Sequence, residues 1–179
     1  VQYALSKDVL LVHAAGNDAR NTDSRDNYPN KFYLDSLGAA GPSAGAWLEV
    51  GASSWKNDDN LVANFSNYGK KVVDVFAPGV KITSAVPNSS YNEFDGTSMA
   101  APVVSGLAAL IRSYYPKLNA MQVKNIIMES VTRVQQKVRI KDNGSSSKVL
   151  LSDICVSGGV VNAYKALQLA AKVEVIAKK

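Results

Sequence analysis

Asp95-Gly96-Thr97-Ser98-Met99-Ala100-Ala101-Pro102 decides how this chain is built. Gly96-Thr97-Ser98 opens the strongest helix signal in the sequence. Residues 99–111 are apolar or small on almost every side, and Arg112 is the first charge. A helix apolar all round is a buried central helix. Working upstream, residues 81–86 read as a short strand. Val72-Val73-Asp74-Val75-Phe76 reads as another, stopped by Ala77-Pro78-Gly79. Residues 47–52 are a further candidate. Val9-Leu10-Leu11-Val12-His13-Ala14 is a near-continuous apolar run that ends at the turn signal Gly16-Asn17-Asp18. Such runs suit parallel strands covered on both faces. Strands interleaved with helices predict an α/β architecture with a largely parallel sheet.

Downstream, Asn119-Ala120-Met121-Gln122 has the form of a capping box for a second helix reaching about Ser130. Residues 131–153 are polar and basic and read as a surface excursion or hairpin. Ser157-Gly158-Gly159 is a turn. Asn162 caps a last helix that closes on Lys178-Lys179, cations favourable at a helix C-terminus. Residues 21–46 are loop-like and longer than most connections. Residues 88–94 read as a loop leading into or covering a site.

Composition narrows the function classes. With 46% apolar and 20% charged residues, the chain has the balance of an ordinary globular domain and not of a disordered one. The net charge of +5 is scattered and not interleaved with aromatics, which argues against nucleic acid as a partner. No apolar run reaches the ~18 residues of a membrane span; residues 99–111 come nearest. Cys155 is the single cysteine, so no internal disulfide forms, and it reads as a small buried hydrophobe. His13 is the single histidine, too little for a zinc site. The chain opens on Val1 without a secretory apolar region, so it is expected to be an excised piece.

Two segments carry chemistry. A serine hydroxyl is a weak nucleophile until a base takes its proton and a fixed backbone presents it. Ser98 follows a glycine at the start of a helix, where backbone N–H groups and a positive dipole end point outward. Those donors favour the negative oxygen that forms when a carbonyl is attacked. Ser98 is equally the type of residue that caps a helix. Asn17 ends Ala14-Ala15-Gly16-Asn17, at the carboxyl end of a buried strand, where open α/β sheets place ligands. Its amide NH₂ completes an oxyanion hole with the Ser98 N–H, or it is a plain turn residue.

Taken together, the chain resembles the subtilisin-like serine peptidase family. Gly96-Thr97-Ser98-Met99-Ala100-Ala101-Pro102 is similar to that family's nucleophile signature, and residues 9–17 to its oxyanion strand. Val50-Gly51-Ala52, Phe65-Ser66-Asn67-Tyr68-Gly69, Val75-Phe76-Ala77-Pro78-Gly79 and residues 158–167 match later landmarks in order. The resemblance implies that residues 1–179 are the C-terminal part of one such domain, a partial doubly wound, mostly parallel sheet with a buried helix after the nucleophile. It implies Ser98 as nucleophile and Asn17 as oxyanion donor. Ala14, Ala15, Gly16 and Thr97 would bind substrate, with Ala14 to Gly16 walling the pocket for the residue before the cleaved bond. Met99 would sit against the nucleophile, and Tyr28-Pro29 would be a cis-proline position. The implied partner is a polypeptide substrate and the implied location secreted or cell-envelope. No cofactor is required for the chemistry; structural calcium occurs in the family, but no carboxylate-rich loop names its ligands here.

The departures from the family pattern matter as much. The family orders a catalytic Asp, a His and then the Ser. His13 lies inside the oxyanion strand, followed by Ala14-Ala15, and reads as a satisfied, partly buried strand histidine. Asp142-Asn143-Gly144 has the shape of the Asp motif but follows Ser98. Asp95 stands where the family often has Asn or Ser. The expectation is a serine endopeptidase acting through an acyl-enzyme in the full-length parent, with this piece inactive for want of Asp and His. The alternative is a catalytically dead module that binds or scaffolds. A sheet cut part-way also exposes a strand edge, which predicts self-association.

Overall fold

Strand β4 (Trp47–Ser53) is buried at every position, and the sheet is assembled around it. The computed structural model describes residues 1–24, 27–34, 40–142 and 144–176. In chain order the elements are α1 (Gln2–Ser6), β1 (Leu11–Ala14), β2 (Phe32–Leu34), β3 (Ala40–Ser43), β4, β5 (Val75–Pro78), β6 (Ile82–Val86), β7 (Ser90–Phe94), α2 (Thr97–Tyr114), α3 (Ala120–Glu129), β8 (Thr132–Arg133), β9 (Lys137–Asp142), β10 (Ser145–Leu150), a 3₁₀ turn (Leu151–Asp153), β11 (Gly159–Val160) and α4 (Ala163–Ile176). The main sheet runs β1-β4-β5-β11-β8. β1, β4, β5 and β11 are parallel, with Ala14 beside Val50 and Val50 beside Val75; β8 is antiparallel to β11. The α/β, mostly parallel architecture read from the sequence is the one observed.

Alternation along the strands sends side chains to two cores. Leu48, Val50, Ala52, Val75 and Ala77 face Val104, Leu107 and Ile111 of α2, with α3 and α4 behind them. Ala15 and Phe76 face the other way, into a cluster with Tyr68, Val138, Leu151 and Cys155. Cys155 is fully buried and its Sγ donates to the Asp74 carbonyl at 3.2 Å. α3 begins with the expected capping box, Asn119 and Gln122 exchanging side-chain-to-backbone bonds of 2.8 and 2.9 Å. Asn162 Oδ1 accepts from Lys165 N at the start of α4. Lys178-Lys179 lie outside the described residues.

Some local expectations change. Residues 88–94 are not simply a loop: Ser90–Phe94 is β7, paired antiparallel with β6 around Asn88 and Ser89, both at positive φ. All of β7 is exposed, so it carries no apolar alternation from which to read a strand. Residues 21–46 likewise contain the β2–β3 pair. Residues 131–153 hold the β9–β10 hairpin, as expected. α2 is buried on one face only: Pro102, Val103, Gly106, Ala109 and Leu110 are exposed. No helix among the described residues is long and apolar enough to cross a membrane.

Candidate active site

β1 ends where α2 begins, and the two ends are tied by side chains. Past β1, Ala15 N still donates to Val50 O. Gly16 then takes a positive φ of 95°, and a Cβ there would lie 2.5 Å from Asn67 Nδ2, so only glycine fits. Gly16 N donates to Thr97 Oγ1 at 3.1 Å. Asn17 Oδ1 accepts both Thr97 N and Thr97 Oγ1, each at 2.9 Å. A backbone N–H can only donate, so the atom of Asn17 facing it is the oxygen and the NH₂ is turned the other way. Asn17 Nδ2 and Ser98 N each lie 3.6 Å from the point that a Cβ on Gly96 would occupy. The side chains of Asn17 and Ser98 belong to exposed residues.

Gly96 is the N-cap of α2, without a side-chain cap bond, and Ser98 is the second residue inside the helix. Ser98 is therefore not the cap. Gly96 N donates to Gly79 O at 2.8 Å, and a Cβ on Gly79 would stand 2.7 Å from Gly96 O. Two glycines thus bring the end of β5 against the start of α2. Asp95 Oδ1 accepts Lys81 N at 2.7 Å. Met99 is half-buried beside Ser98, as its position suggests.

The expected pocket wall is only partly open. Ala14 and Gly16 keep some surface, whereas Ala15 is fully buried. Its carbonyl accepts Asn27 Nδ2 at 3.0 Å and Asn67 Nδ2 at 2.8 Å. Thr97, expected to touch substrate, is 1% exposed, and its hydroxyl accepts Gly16 N and donates to Asn17 Oδ1. Asn67 is the residue the sequence reading passed over as part of a turn. It is fully buried, its Oδ1 accepts Asp18 N and Arg20 N, and its backbone N–H reaches Gly16 O. Every one of these bonds joins residues far apart in the chain, which no local pattern reveals. The Tyr28-Pro29 bond is cis.

Charges also lie buried against the sheet. His13 Nδ1 sits 3.0 Å from Glu49, whose other contacts are Trp47 Nε1 at 2.8 Å and Asn27 Nδ2 at 3.3 Å. His13 is thus a satisfied strand histidine, committed to Glu49. Asp74 accepts Glu49 N at 2.8 Å and faces Lys31 at 3.5 Å and Lys124 at 4.0 Å. Burial pushes its carboxyl above the usual range despite both lysines, and burial pushes Lys124 down. Among the described residues no three His, Cys, Asp or Glu side chains converge to hold a metal ion. Asn17 Nδ2 and the Ser98 N–H thus lie on the same side of Gly96, while His13 belongs to β1 and pairs with Glu49.

Comparison with known proteins follows the same residues. The sequence model of the subtilase family matches residues 1–149. The chain is 38% identical to subtilisin DY of Bacillus licheniformis over 136 residues, covering 75% of this chain and 43% of that protein. It is 37% identical to subtilisin E of Bacillus subtilis (strain 168) over 133 residues, 74% of this chain and 31% of that protein. Among solved structures, one described for subtilase cytotoxin SubAB assembly aligns with a TM-score of 0.72 at 24% identity, over 98% of this chain and 53% of that chain. The prenylagaramide maturation protease PagA aligns with a TM-score of 0.66 at 28% identity, over 93% and 52%. The chain therefore spans about half or less of the relatives it matches.

Proposed function

The chain belongs to the subtilase family, and on that premise we propose that it carries the nucleophile and oxyanion hole of a serine endopeptidase. Ser98 Oγ attacks the peptide carbonyl and forms the acyl-enzyme. The oxygen that turns negative is met by Asn17 Nδ2 and by the Ser98 N–H at the positive end of α2. The observation that carries this reading is the pair of 2.9 Å bonds from Thr97 to Asn17 Oδ1, which turns the amide donor away from Thr97 before any substrate arrives. Such preorganised donors need no rearrangement during reaction. The substrate is a polypeptide, and an extracellular or cell-envelope location goes with the same proposal.

The one histidine lies inside β1, four residues before Asn17, and among the described residues no hydrogen bond joins it to Ser98. On this reading the base and its orienting acid have to be supplied from outside these 179 residues. The chain by itself is expected to leave a chromogenic peptide uncut; Ser98-dependent cleavage would overturn that part. The site itself is tested with an activated ester and added imidazole as a soluble base. The expected result is an imidazole-dependent acyl-enzyme on Ser98, seen by mass spectrometry and absent in Ser98→Ala. No acylation at any imidazole concentration would leave the binding-module reading in its place.

We propose further that the chain by itself self-associates, through the edge of β1 that has no strand partner among the described residues and the open apolar face of α2 around Val103 and Leu110. Light scattering reads this directly. A clean monomer at high concentration would overturn it.

A further inference from the structure

We propose that a cleft beside Ser98 docks an acidic segment of the polypeptide substrate; the inference rests on Ser98 and Asn17 forming the acyl-transfer site. The cleft encloses about 440 Å³. Its floor is apolar, made by Val62, Phe65 and Ile140, and its rim carries Lys56, Lys81 and Lys141. Trp55, 72% exposed, stands in its lining. The cleft is joined to the site through backbone on two sides. Asp95, in its wall, immediately precedes Gly96, and Phe65 O accepts Ala19 N just past Asn17. A chain lying across Ser98 has this cleft within reach of its next residues, since each extended residue spans roughly 3.3 Å.

The lining keeps a cationic excess, with Asp95 as its one acid against Lys56, Lys81, Arg139 and Lys141. Asp59 is shared by Arg139 Nη2 and Lys148 Nζ, both at 2.8 Å, so one carboxylate answers two cations. Asp95 has one oxygen engaged by the Lys81 backbone. None of the ion pairs among the described residues involves Lys56, Lys81 or Lys141. The cations come from three separate segments and converge on one hollow. The hollow is stiffened where the β9–β10 hairpin meets the loop before Leu61: Arg139 N donates to Asp59 O at 2.6 Å, and Gln136 Nε2 to Asn57 Oδ1 at 3.3 Å. An apolar floor with a cationic rim complements an apolar side chain flanked by carboxylates. A nucleic acid would call for a basic track with several stacking aromatics, and one tryptophan does not provide it.

The test uses the full 179-residue chain and fluorescein-labelled peptides followed by anisotropy. The probes are a Glu-Glu-Leu-Glu-Glu peptide, its Lys-Lys-Leu-Lys-Lys counterpart and a single-stranded oligonucleotide of equal charge to the first. The acidic peptide is expected to bind at least about tenfold more tightly than the basic one and to weaken as salt is raised. The double variant Lys56→Glu/Lys141→Glu, both exposed positions, is expected to lose about tenfold in affinity with an unchanged circular dichroism spectrum. Unchanged affinity in that folded variant overturns the proposal. So does an oligonucleotide that binds as tightly as the acidic peptide. Ser98→Ala is expected to bind the peptide normally. Binding without Ser98 acylation would therefore sink the endopeptidase reading alone, and acylation without binding would sink the dock alone.

Discussion

Asn17 and Thr97 are 80 positions apart, yet one amide oxygen receives both the backbone N–H and the hydroxyl of Thr97 at 2.9 Å. That joint ties the end of β1 to the start of α2 and sets which way the Asn17 donor points. Asn17→Ala is expected to slow imidazole-supported acylation of Ser98 on the order of 10²-fold, the size established for such a donor in subtilisin. Thr97→Val removes one of the two bonds to Asn17 and leaves Gly16 N without its acceptor. One hydrogen bond is worth ~1 kcal/mol, so a loss of roughly fivefold is expected. Mass-spectrometric acylation rates compare the two, and a Thr97→Val variant at parental speed would remove Thr97 as a positioning residue.

Gly79 and Gly96 approach closely enough that a methyl group does not fit between them. In Gly79→Ala the new Cβ would meet Gly96 O at 2.7 Å and the Ala52 Cβ at 2.8 Å. Both are held by sheet or helix backbone and cannot swing aside. Overpacking of this kind costs about 1–3 kcal/mol. The expected outcome is a lowered melting temperature together with slower acylation, because Gly96 carries Thr97 and Ser98. A variant with parental melting and parental acylation would show that the contact relaxes freely.

Asp74 is the counter-ion for two lysines, Lys31 and Lys124, against the sheet. Asp74→Ala would remove the counter-ion of both ammonium groups, leaving Lys31 only the carbonyls of Lys71 and Val72, and would leave Glu49 N without its 2.8 Å acceptor. Removing one partner of a buried ion pair costs about 3–5 kcal/mol. Urea unfolding should register that loss, and Asp74→Asn should recover part of it by keeping one acceptor. A change within about 0.5 kcal/mol for the alanine variant, the range of neutral surface changes, would contradict the role.

Asp59 gives a pH dependence with a definite sign. Hydrogen bonds from Arg139 and then Lys148 hold its carboxyl down at about 2, from an ordinary value of 3.8. A carboxyl depressed in the folded state contributes stability that is fully present above the unfolded value and is lost as pH falls through the folded one. Parent and Asp59→Asn are therefore expected to differ most above about pH 4 and to converge toward pH 2. Urea midpoints at several pH values measure the gap. A gap that widens on acidification would contradict the assignment.

The parts of the fold legible in the sequence are its longest apolar runs, although only β4 is buried throughout and β1 is half-buried. Residues 47–52 are apolar almost without interruption because β4 has protein above and below; residues 9–14 have the same composition but stay half-buried at β1, with Val9 exposed. β7 was not legible because each of its five residues is exposed and nothing in its side chains marks a strand. The site divides in the same way. Ser98 and Asn17 stand in a distinctive string and at a strand end, so their types and places could be read directly. Asn67 sits in Phe65-Ser66-Asn67-Tyr68-Gly69, which reads locally as a turn, although its side chain holds the loop after Ala15.

Glu49 and Asp74 show the remaining division. Each is a carboxylate inside a strand-like run, and sequence alone marks them only as costly residues to bury. His13, Trp47 and Asn27 as partners of one, and Lys31 and Lys124 as partners of the other, were decided by the packing of distant segments. The order of residues determined which segments must leave water and which chemical groups arrive at the end of β1. The tertiary structure alone decided which donor meets which acceptor there, because a hydrogen bond depends on a few ångströms of separation and an angle, and neither is a property of position along the chain.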